Sequence, residues 1–421
     1  MSRRRRAEEG TLPMTETAYG QGPAPAPGPA DPFDIRRALA TLRALCVPEM
    51  EGRAPGSAGH DRATRFLVSE LTGAGLSPVL EHFAIRGVLR LTAPPYCGVE
   101  GPELARDLVH RAEFAEHPRS APMPAPVSAP ASEDALPGCW AVVRGSSQGT
   151  AFAELAASFA ARGVVGILVA QHADASGYLT KRVQGPTPVR LPVVAFLPEL
   201  LDAVTGGTVT AHVPLERVPA VGANIVATLP GRAPDARPIL LTAHYDGVGS
   251  DPGRHFPCAG DNASGTAVLC ETARVLSRAE PLDRPVTFAL LDGEEMGTLG
   301  SGHHARQLRE RKLRPDVLNI DMAGKFNGKV AVELGPADPM PGDLIAALDA
   351  SGRRLGIPLY AAPVASDNRR YAAAGFPSAG VGLGAAHYHS PLDSPERIEA
   401  DALHKAGQLT LATVRHLAAP G

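Results

Sequence analysis

Apolar segments that alternate with amphipathic ones constrain the fold of this chain more than any other feature. Between residues 221 and 421 the apolar runs read ILLTAH, VTFALLD and VLNIDM, and the amphipathic segments read SGTAVLCETARVLSR, GSGHHARQLRERK and ADALHKAGQLTLATVRHL. Strands that are apolar throughout are buried on both faces, and the helices that connect them cover those faces. The pattern predicts an α/β fold with a mixed, mainly parallel sheet and helices on both faces.

The rest of the chain has a different character. At 421 residues the chain is longer than the roughly 250–300 residues over which one core usually grows. A Pro/Ala-rich stretch, RSAPMPAPVSAPASEDALPG, precedes the short strand and helix patterns CWAVVRG, FAELAASFAARG and VVGILVA. We predict a larger domain made of residues 34–87 and 221–421. A small α/β or β-rich domain, residues 88–220, interrupts it, and a disordered Pro/Ala/Gly-rich tail, residues 1–33, precedes it.

Bulk properties exclude several classes of partner. The formal net charge of −3 provides no positive field for nucleic acid, and no apolar run approaches the length of a membrane span. The RRRR near the start is not followed by the apolar stretch of a secretion signal. The five cysteines show no C-x-x-C spacing, which favours a reducing compartment. We therefore expect a cytoplasmic protein that binds neither nucleic acid nor membrane.

Charged and polar residues follow the predicted strands. Ligands of such sheets bind beyond the carboxyl ends of the strands, so these residues are the candidates for a site. Each of them alone is also compatible with helix capping, core packing or surface exposure, but their shared position favours a functional site. The residues in question are His244 and Asp246, Asp261 and Asn262, Glu294 and Glu295, Asp321, and His387, Tyr388 and His389.

Imidazoles mixed with carboxylates suit zinc, or a neighbouring divalent metal such as cobalt or manganese. The ligands suffice for two ions. If Asp261 bridges them, each ion receives a histidine and one further carboxylate, and three carboxylates with a bridging hydroxide balance two divalent cations. Two such ions together activate a water molecule and polarise a carbonyl group.

The adjacent acids Glu294 and Glu295 need not share a role. Neighbouring residues leaving a strand point in different directions, so Glu295 can face a metal while Glu294 faces the substrate. A carboxylate beside the activated water can serve as general base and then as general acid. Asp246 lies two residues beyond His244 and is placed to hold the other nitrogen of that imidazole, although an ordinary turn carboxylate is an alternative.

Six motifs in order resemble metallopeptidase family M28, the family of the di-zinc aminopeptidases. They read AHYDGV, GDNASGTAVLCETARVL, DGEEMGTLGS, NIDMAG, SDNRRYAAAGFPS and YHSPLDSPERI. The resemblance implies that one metal is bound by His244 and Asp321 and the other by Glu295 and His389, with Asp261 shared. It also implies that Glu294 is the general base and that Tyr388 steadies the oxyanion. The long loop GVGSDPGRHFPCAG departs from the family pattern and is expected to alter the rim of the site.

The middle part of the chain, residues 88–220, resembles the protease-associated domain that is often inserted in this family. The implied function is hydrolysis of peptide bonds, with removal of N-terminal amino acids from peptides as the first hypothesis. A glutaminyl cyclase-like acyltransferase is an alternative, because those enzymes share DGEE, but the absence of tryptophan outside the inserted domain argues against it. A peptidase or amidase dedicated to one pathway is a further alternative.

Two nearby residues receive other interpretations. We interpret Asp367 as a cap of the helix that follows it. His387 could exchange roles with His389, but the HSPLDS context favours His389 as the ligand. The sequence leaves open the preferred N-terminal residue, aminopeptidase against carboxypeptidase or dipeptidase specificity, the metal used and the oligomeric state.

Overall fold

The structure, a computed structural model, describes residues 32–419. Its helices are α1 (Ile35–Leu45), α2 (Ala58–Gly73), α3 (Gly149–Ala161), α4 (Pro198–Val204), α5 (Ser264–Ser277), α6 (Leu299–Glu310), α7 (Gly342–Leu355), α8 (Asn368–Ala373) and α9 (Ala400–Leu417). Its strands are β1 (Val79–Leu91), β2 (Tyr96–Glu100), β3 (Ala105–Asp107), β4 (Phe114–Glu116), β5 (Val127–Ser132), β6 (Trp140–Val143), β7 (Gly166–Ala170), β8 (Val193–Phe196), β9 (Thr208–His212), β10 (Leu215–Leu229), β11 (Ile239–His244), β12 (Val286–Leu291), β13 (Asp316–Ala323), β14 (Val330–Gly335), β15 (Leu359–Ala361) and β16 (Ser378–Gly384). None of the described helices combines the length and apolar character needed to cross a bilayer.

The predicted tail, residues 1–33, lies outside the described residues except for its last two. One of these, Phe33, is only 4% exposed and packs in the main hydrophobic core.

The larger sheet has eight strands in the order β1-β10-β12-β11-β13-β16-β14-β15. Its central strands β12, β11, β13 and β16 are parallel to one another. Antiparallel pairs occur towards the edges, where β10 meets β1 and β12 and where β14 meets β16. The predicted mixed, mainly parallel sheet is confirmed.

Both faces of this sheet are buried, as the continuous apolar runs predict. On one face Leu241 and Phe288 belong to the core that includes residues of α1, α2, α5, α7 and α9. On the other face Leu240 and Ala289 pack with residues of α6 and α8. Helices on both sides leave the carboxyl edge of the parallel strands as the open edge of this sheet for a ligand.

The second sheet, also of eight strands, is built from residues 96–212 in the order β3-β2-β9-β5-β6-β7-β8-β4. It has hydrophobic clusters of its own, one of which contains the fully buried Trp140. The indole Nε1 of Trp140 donates to the Val209 carbonyl oxygen at 3.0 Å. The chain leaves the larger sheet along β1 and returns along β10, and these two strands pair with each other in antiparallel fashion. The assignment of residues 88–220 to a protease-associated domain stays a prediction.

A buried arginine ties together the segments that lead to the site. The Arg53 guanidinium is 0% exposed and donates to four carbonyl oxygens, those of Leu45, Tyr245, Pro257 and Cys258, at 2.7–2.9 Å. These carbonyls belong to the end of α1, the end of β11 and the loop before α5. Hydrogen bonds to a charged donor are among the stronger ones, so Arg53 fixes these segments relative to one another.

Candidate active site

The polar residues that follow the strands of the larger sheet meet at one edge of it. His244 is the last residue of β11, and Asp321 lies towards the end of β13. Glu294 and Glu295 lie in the loop after β12. Asp261 lies in the loop before α5, and His389 lies in the loop after β16. Because the central strands are parallel, their carboxyl ends converge at this edge.

The Asp261 carboxylate lies between the two histidines. Its Oδ1 is 3.1 Å from His244 Nε2, and its Oδ2 is 3.2 Å from His389 Nε2. His244 Nε2 lies 3.4 Å from Asp321 Oδ1, and His389 Nε2 lies 3.0 Å from Glu295 Oε2. Two groups of three potential ligands therefore share Asp261, and within each group the ligand atoms lie within 4.8 Å of one another. The structure thus brings together all five residues predicted as metal ligands.

Several buried atoms of these groups have no hydrogen-bond partner. These atoms are the two ring nitrogens of His244 and the Oδ1 atom of Asp321. The His244 side chain is 1% exposed and that of Asp321 is 6% exposed. Leaving such atoms unpaired is costly, and a bound cation removes that cost. Imidazole and carboxylate ligands in each group fit a divalent metal ion such as zinc.

Asp246 contacts a histidine and holds the acidic loop by hydrogen bonds. Its Oδ1 lies 3.4 Å from His244 Nδ1, the nitrogen that faces away from Asp261. Its two oxygens also accept hydrogen bonds from the backbone N–H groups of Glu294 and Glu295, each at 3.1 Å. Asp246 is fully buried, so it acts on the substrate only through the residues it positions.

The crowding of carboxylates shows in the pKa values of the histidines. Burial alone would lower the pKa of His244, but the nearby carboxylates of Asp321, Asp246 and Asp261 hold that pKa well above its ordinary value. Burial likewise opposes charge on His389, yet Glu295 and Asp261 raise the pKa of His389 to about 10. A site that favours positive charge this strongly is suited to bind cations.

Glu294 lies beside these groups, and the pKa of its carboxyl group is shifted. Burial raises the pKa of Glu294 well above its ordinary value, against the opposing effect of His244. The neighbouring carboxylates of Asp367 and Asp321 raise it further. A carboxyl group that can hold a proton in a metal site is a candidate for general acid–base work.

Tyr388 lies at the rim of the site. It is 47% exposed, and its ring stacks on that of His389 with a centroid separation of 3.6 Å. Its predicted role at the oxyanion stays a prediction.

Of two further residues interpreted from the sequence, Asp367 lacks the expected capping contact, whereas His387 lies apart from the ligands, in agreement with the preference for His389. Asp367 occupies the N-cap position of α8, but its side chain makes no capping hydrogen bond. Its Oδ1 instead accepts from Ser301 Oγ at 2.5 Å, and burial raises the pKa of Asp367 to about 7. His387 faces away from the two ligand groups, because its Nδ1 lies 2.6 Å from Ser176 Oγ and its Nε2 lies 3.0 Å from an Arg397 nitrogen.

Sequence reasoning missed Asp393. Its Oδ1 accepts from the Gly260 N–H at 2.7 Å and its Oδ2 from the Asp261 N–H at 3.1 Å. Burial raises the pKa of Asp393 to about 7, although these hydrogen bonds oppose the change. Asp393 lies in the quoted HSPLDS motif, four residues after His389, which is the signal that could have found it. It fixes the backbone that carries the shared carboxylate of Asp261.

Replacing Asp393 with Asn is therefore expected to weaken metal binding. The Asn side chain offers one acceptor atom where two backbone N–H groups need one each, so Asp261 loses its fixed position. Loss of such a supporting group typically lowers metal affinity by roughly 10–100-fold. Competition of the variant with a fluorescent zinc chelator measures the change. Asp401→Asn, an exposed carboxylate of α9 paired with Lys405, is the control. Equal affinity in the two variants would contradict the role of Asp393.

The sequence model described as Peptidase family M28 matches residues 224–414, a stretch that contains every candidate ligand. Aminopeptidase YwaD of Bacillus subtilis is 32% identical over 188 residues, which are 42% of this chain and 40% of that protein. The probable lipoprotein aminopeptidase LpqL of Mycobacterium tuberculosis is 26% identical over 299 residues, 65% of this chain and 55% of that protein. The chain thus spans about half or less of the length of these relatives.

Solved structures share the fold. A zinc aminopeptidase from Bacillus subtilis superposes with a TM-score of 0.70 at 24% identity, covering 91% of this chain and 94% of its own. The glutaminyl cyclase of Porphyromonas gingivalis superposes with a TM-score of 0.51 at 17% identity, covering 92% and 99%. At these identities the likeness concerns the fold alone. The match to the peptidase family M28 model covers residues 224–414, the same part of the chain that supplies the candidate ligands.

Proposed function

We propose that this protein is a zinc-dependent peptidase that removes N-terminal amino acids from peptides. The observation that carries the proposal is the position of Asp261, whose two oxygens face two different histidines, each accompanied by a further carboxylate. Such an arrangement suits two divalent cations side by side. Relatives named as aminopeptidases and zinc metalloproteases support the same reading.

His244 and Asp321 would hold one ion, Glu295 and His389 the other, with Asp261 between them. Bound zinc ions would supply Lewis-acid polarisation of the scissile carbonyl and a lowered pKa of the attacking water. Zinc accepts this mixture of imidazole and carboxylate ligands, and cobalt or manganese are chemically acceptable substitutes.

Glu294 would move the proton. As a carboxylate it accepts a proton from the attacking water, and as a carboxylic acid it donates that proton to the leaving amine. Burial and the adjacent carboxylates raise its pKa, which favours the second half of this cycle. Asp246 keeps Glu294 in place by accepting a hydrogen bond from the backbone N–H group of Glu294. Tyr388, at the rim, is proposed to donate to the oxyanion.

Mass spectrometry of a mixed pool of short peptides tests the proposal. Half of the peptides carry blocked N-termini, and the zinc-loaded protein is incubated with and without a chelator. Stepwise loss of N-terminal residues from the free peptides only, abolished by chelator, is the expected result and identifies the preferred residue. Loss of ammonia from N-terminal glutamine without chain shortening would instead indicate the glutaminyl cyclase reaction. Shortening from the other end would indicate a carboxypeptidase.

A further inference from the structure

A cluster of buried charges joins the second sheet to the site and has no role in the proposed chemistry. We call it the ionic junction; it consists of Arg111, Glu116, Lys181 and Asp251. Arg111 is 1% exposed, Lys181 4%, Asp251 5% and Glu116 7%. Three of these residues come from the part of the chain around the second sheet. Asp251 lies in the long loop between His244 and Asp261.

Asp251 is the centre of the ionic junction. Its Oδ2 accepts from Arg111 Nε at 2.7 Å and its Oδ1 from Arg111 Nη2 at 3.1 Å. Lys181 Nζ lies 2.7 Å from Asp251 Oδ1 and donates to the Gly249 carbonyl oxygen at 3.0 Å. Arg111 also pairs with Glu116, so two positive charges balance two negative ones. The Phe256 ring covers both cations, at 5.7 Å from the Arg111 guanidinium carbon and 5.1 Å from Lys181 Nζ.

Lys181 belongs to a segment, residues 176–184, that contacts the loops carrying the candidate ligands. The Lys181 N–H donates to the carbonyl oxygen of His389 at 3.2 Å. Further along, Gln184 lies against the loop after Glu295, because a Cβ added at Gly297 would be 2.8 Å from Gln184 Nε2. Val183 packs in one hydrophobic cluster with Met296 of that same loop.

Segment 176–184 therefore contacts both loops that hold one group of ligands, and the ionic junction fixes it to the loop between His244 and Asp261. Removing one member of a buried ion pair leaves its partner charged and without compensation, which is far more disruptive than loss of a surface pair. The position of the segment thus depends on Asp251 and Lys181. Gln184 is exposed, with a side-chain amide that can both donate to and accept from a peptide backbone.

We propose that the ionic junction positions segment 176–184 as one wall of the substrate site, and that Gln184 on this wall contacts the peptide beyond its first residue. Asp251 and Lys181 are then positioning residues, and Gln184 is a specificity-determining residue. The inference rests on the proposed function, because it assigns the wall to a peptide substrate.

Kinetics with two substrates test this inference. One is an aminoacyl p-nitroanilide with the preferred residue, and the other is a tetrapeptide that begins with the same residue. For Asp251→Asn and Lys181→Met we expect KM for the tetrapeptide to rise by roughly tenfold, since small displacements of positioning groups have effects of this order or larger. The anilide, which does not extend along the wall, should keep its KM, and the zinc content should not change. Hydrogen exchange of residues 176–184 should become faster.

Gln184→Ala keeps the test decisive if either junction variant fails to fold, because Gln184 is exposed and its truncation leaves the ionic junction intact. It should raise KM for the tetrapeptide only. Arg182→Met is the matched control, because Arg182 is an exposed neighbour in the same segment. This substitution should leave KM for both substrates unchanged. Equal losses on both substrates, or no change on either, would overturn the inference. Failure of the unmodified protein to cleave both substrates would instead overturn the proposed function.

Discussion

Replacing Glu294 with Gln is expected to lower kcat by about 10²–10⁴-fold while zinc stays bound. The amide has the shape of the carboxyl group but cannot accept and return a proton at the pH of the reaction. Glu294 is not a member of either ligand group, so its loss removes no metal ligand. Its backbone N–H donates to Asp246, a contact that the substitution leaves unchanged.

The adjacent residue provides the matched comparison. Glu295 lies 3.0 Å from His389 and belongs to one ligand group, so Glu295→Gln should lower the zinc content as well as the rate. Rates from a fluorogenic aminoacyl substrate and zinc contents from elemental analysis separate the two effects. Glu280→Gln, at an exposed position after α5, controls for the loss of charge alone. Near-normal turnover by Glu294→Gln would show that another group is the base.

The central strands of the larger sheet could be predicted from the local pattern of apolar residues in the sequence. The run ILLTAH coincides with β11, and VTFALLD extends one residue beyond β12. These strands are apolar throughout because they are covered on both faces, and that pattern is contained within a few residues. The antiparallel additions β1, β10 and β14 were not predicted as such. Their pairings join residues far apart in the chain, for example Val79 with Val226, and local pattern holds no information on them.

The same distinction applies to the site. The candidate ligands follow strand ends or helix starts, positions that a strand prediction identifies, so all five could be named before the structure. Asp393 supports Asp261 from 132 residues away, and Arg111 meets Asp251 from 140 residues away. The HSPLDS motif marks Asp393 as a residue of the site, but the sequence next to Asp393 or Arg111 does not indicate which distant residue each one contacts. The cap interpretation of Asp367 was wrong for a related reason, because Ser301, 66 residues away, takes the hydrogen bond instead.

Asp261→Asn is expected to have the largest effect on metal binding of any substitution in the site. Each carboxylate oxygen faces a different histidine, so the change removes an anionic ligand from both groups at once. Loss of supporting residues lowers metal affinity by roughly 10–100-fold, and loss of a shared ligand should exceed that range for both ions. By contrast, Asp321 belongs to one group only, so Asp321→Asn should leave the other ion bound.

Zinc titration followed by calorimetry separates these two variants. The unmodified protein should bind two zinc ions per chain, Asp321→Asn one with near-normal affinity, and Asp261→Asn neither at the concentrations that saturate the unmodified protein. Circular dichroism should show that each variant is folded, because Asn fills the volume of Asp and relieves repulsion among the remaining carboxylates. Asp283→Asn, a surface carboxylate paired with Arg232, controls for altered charge. If Asp261→Asn and Asp321→Asn lost the same single ion, Asp261 would belong to one group rather than two, and the proposed pair of metal ions would lose its support.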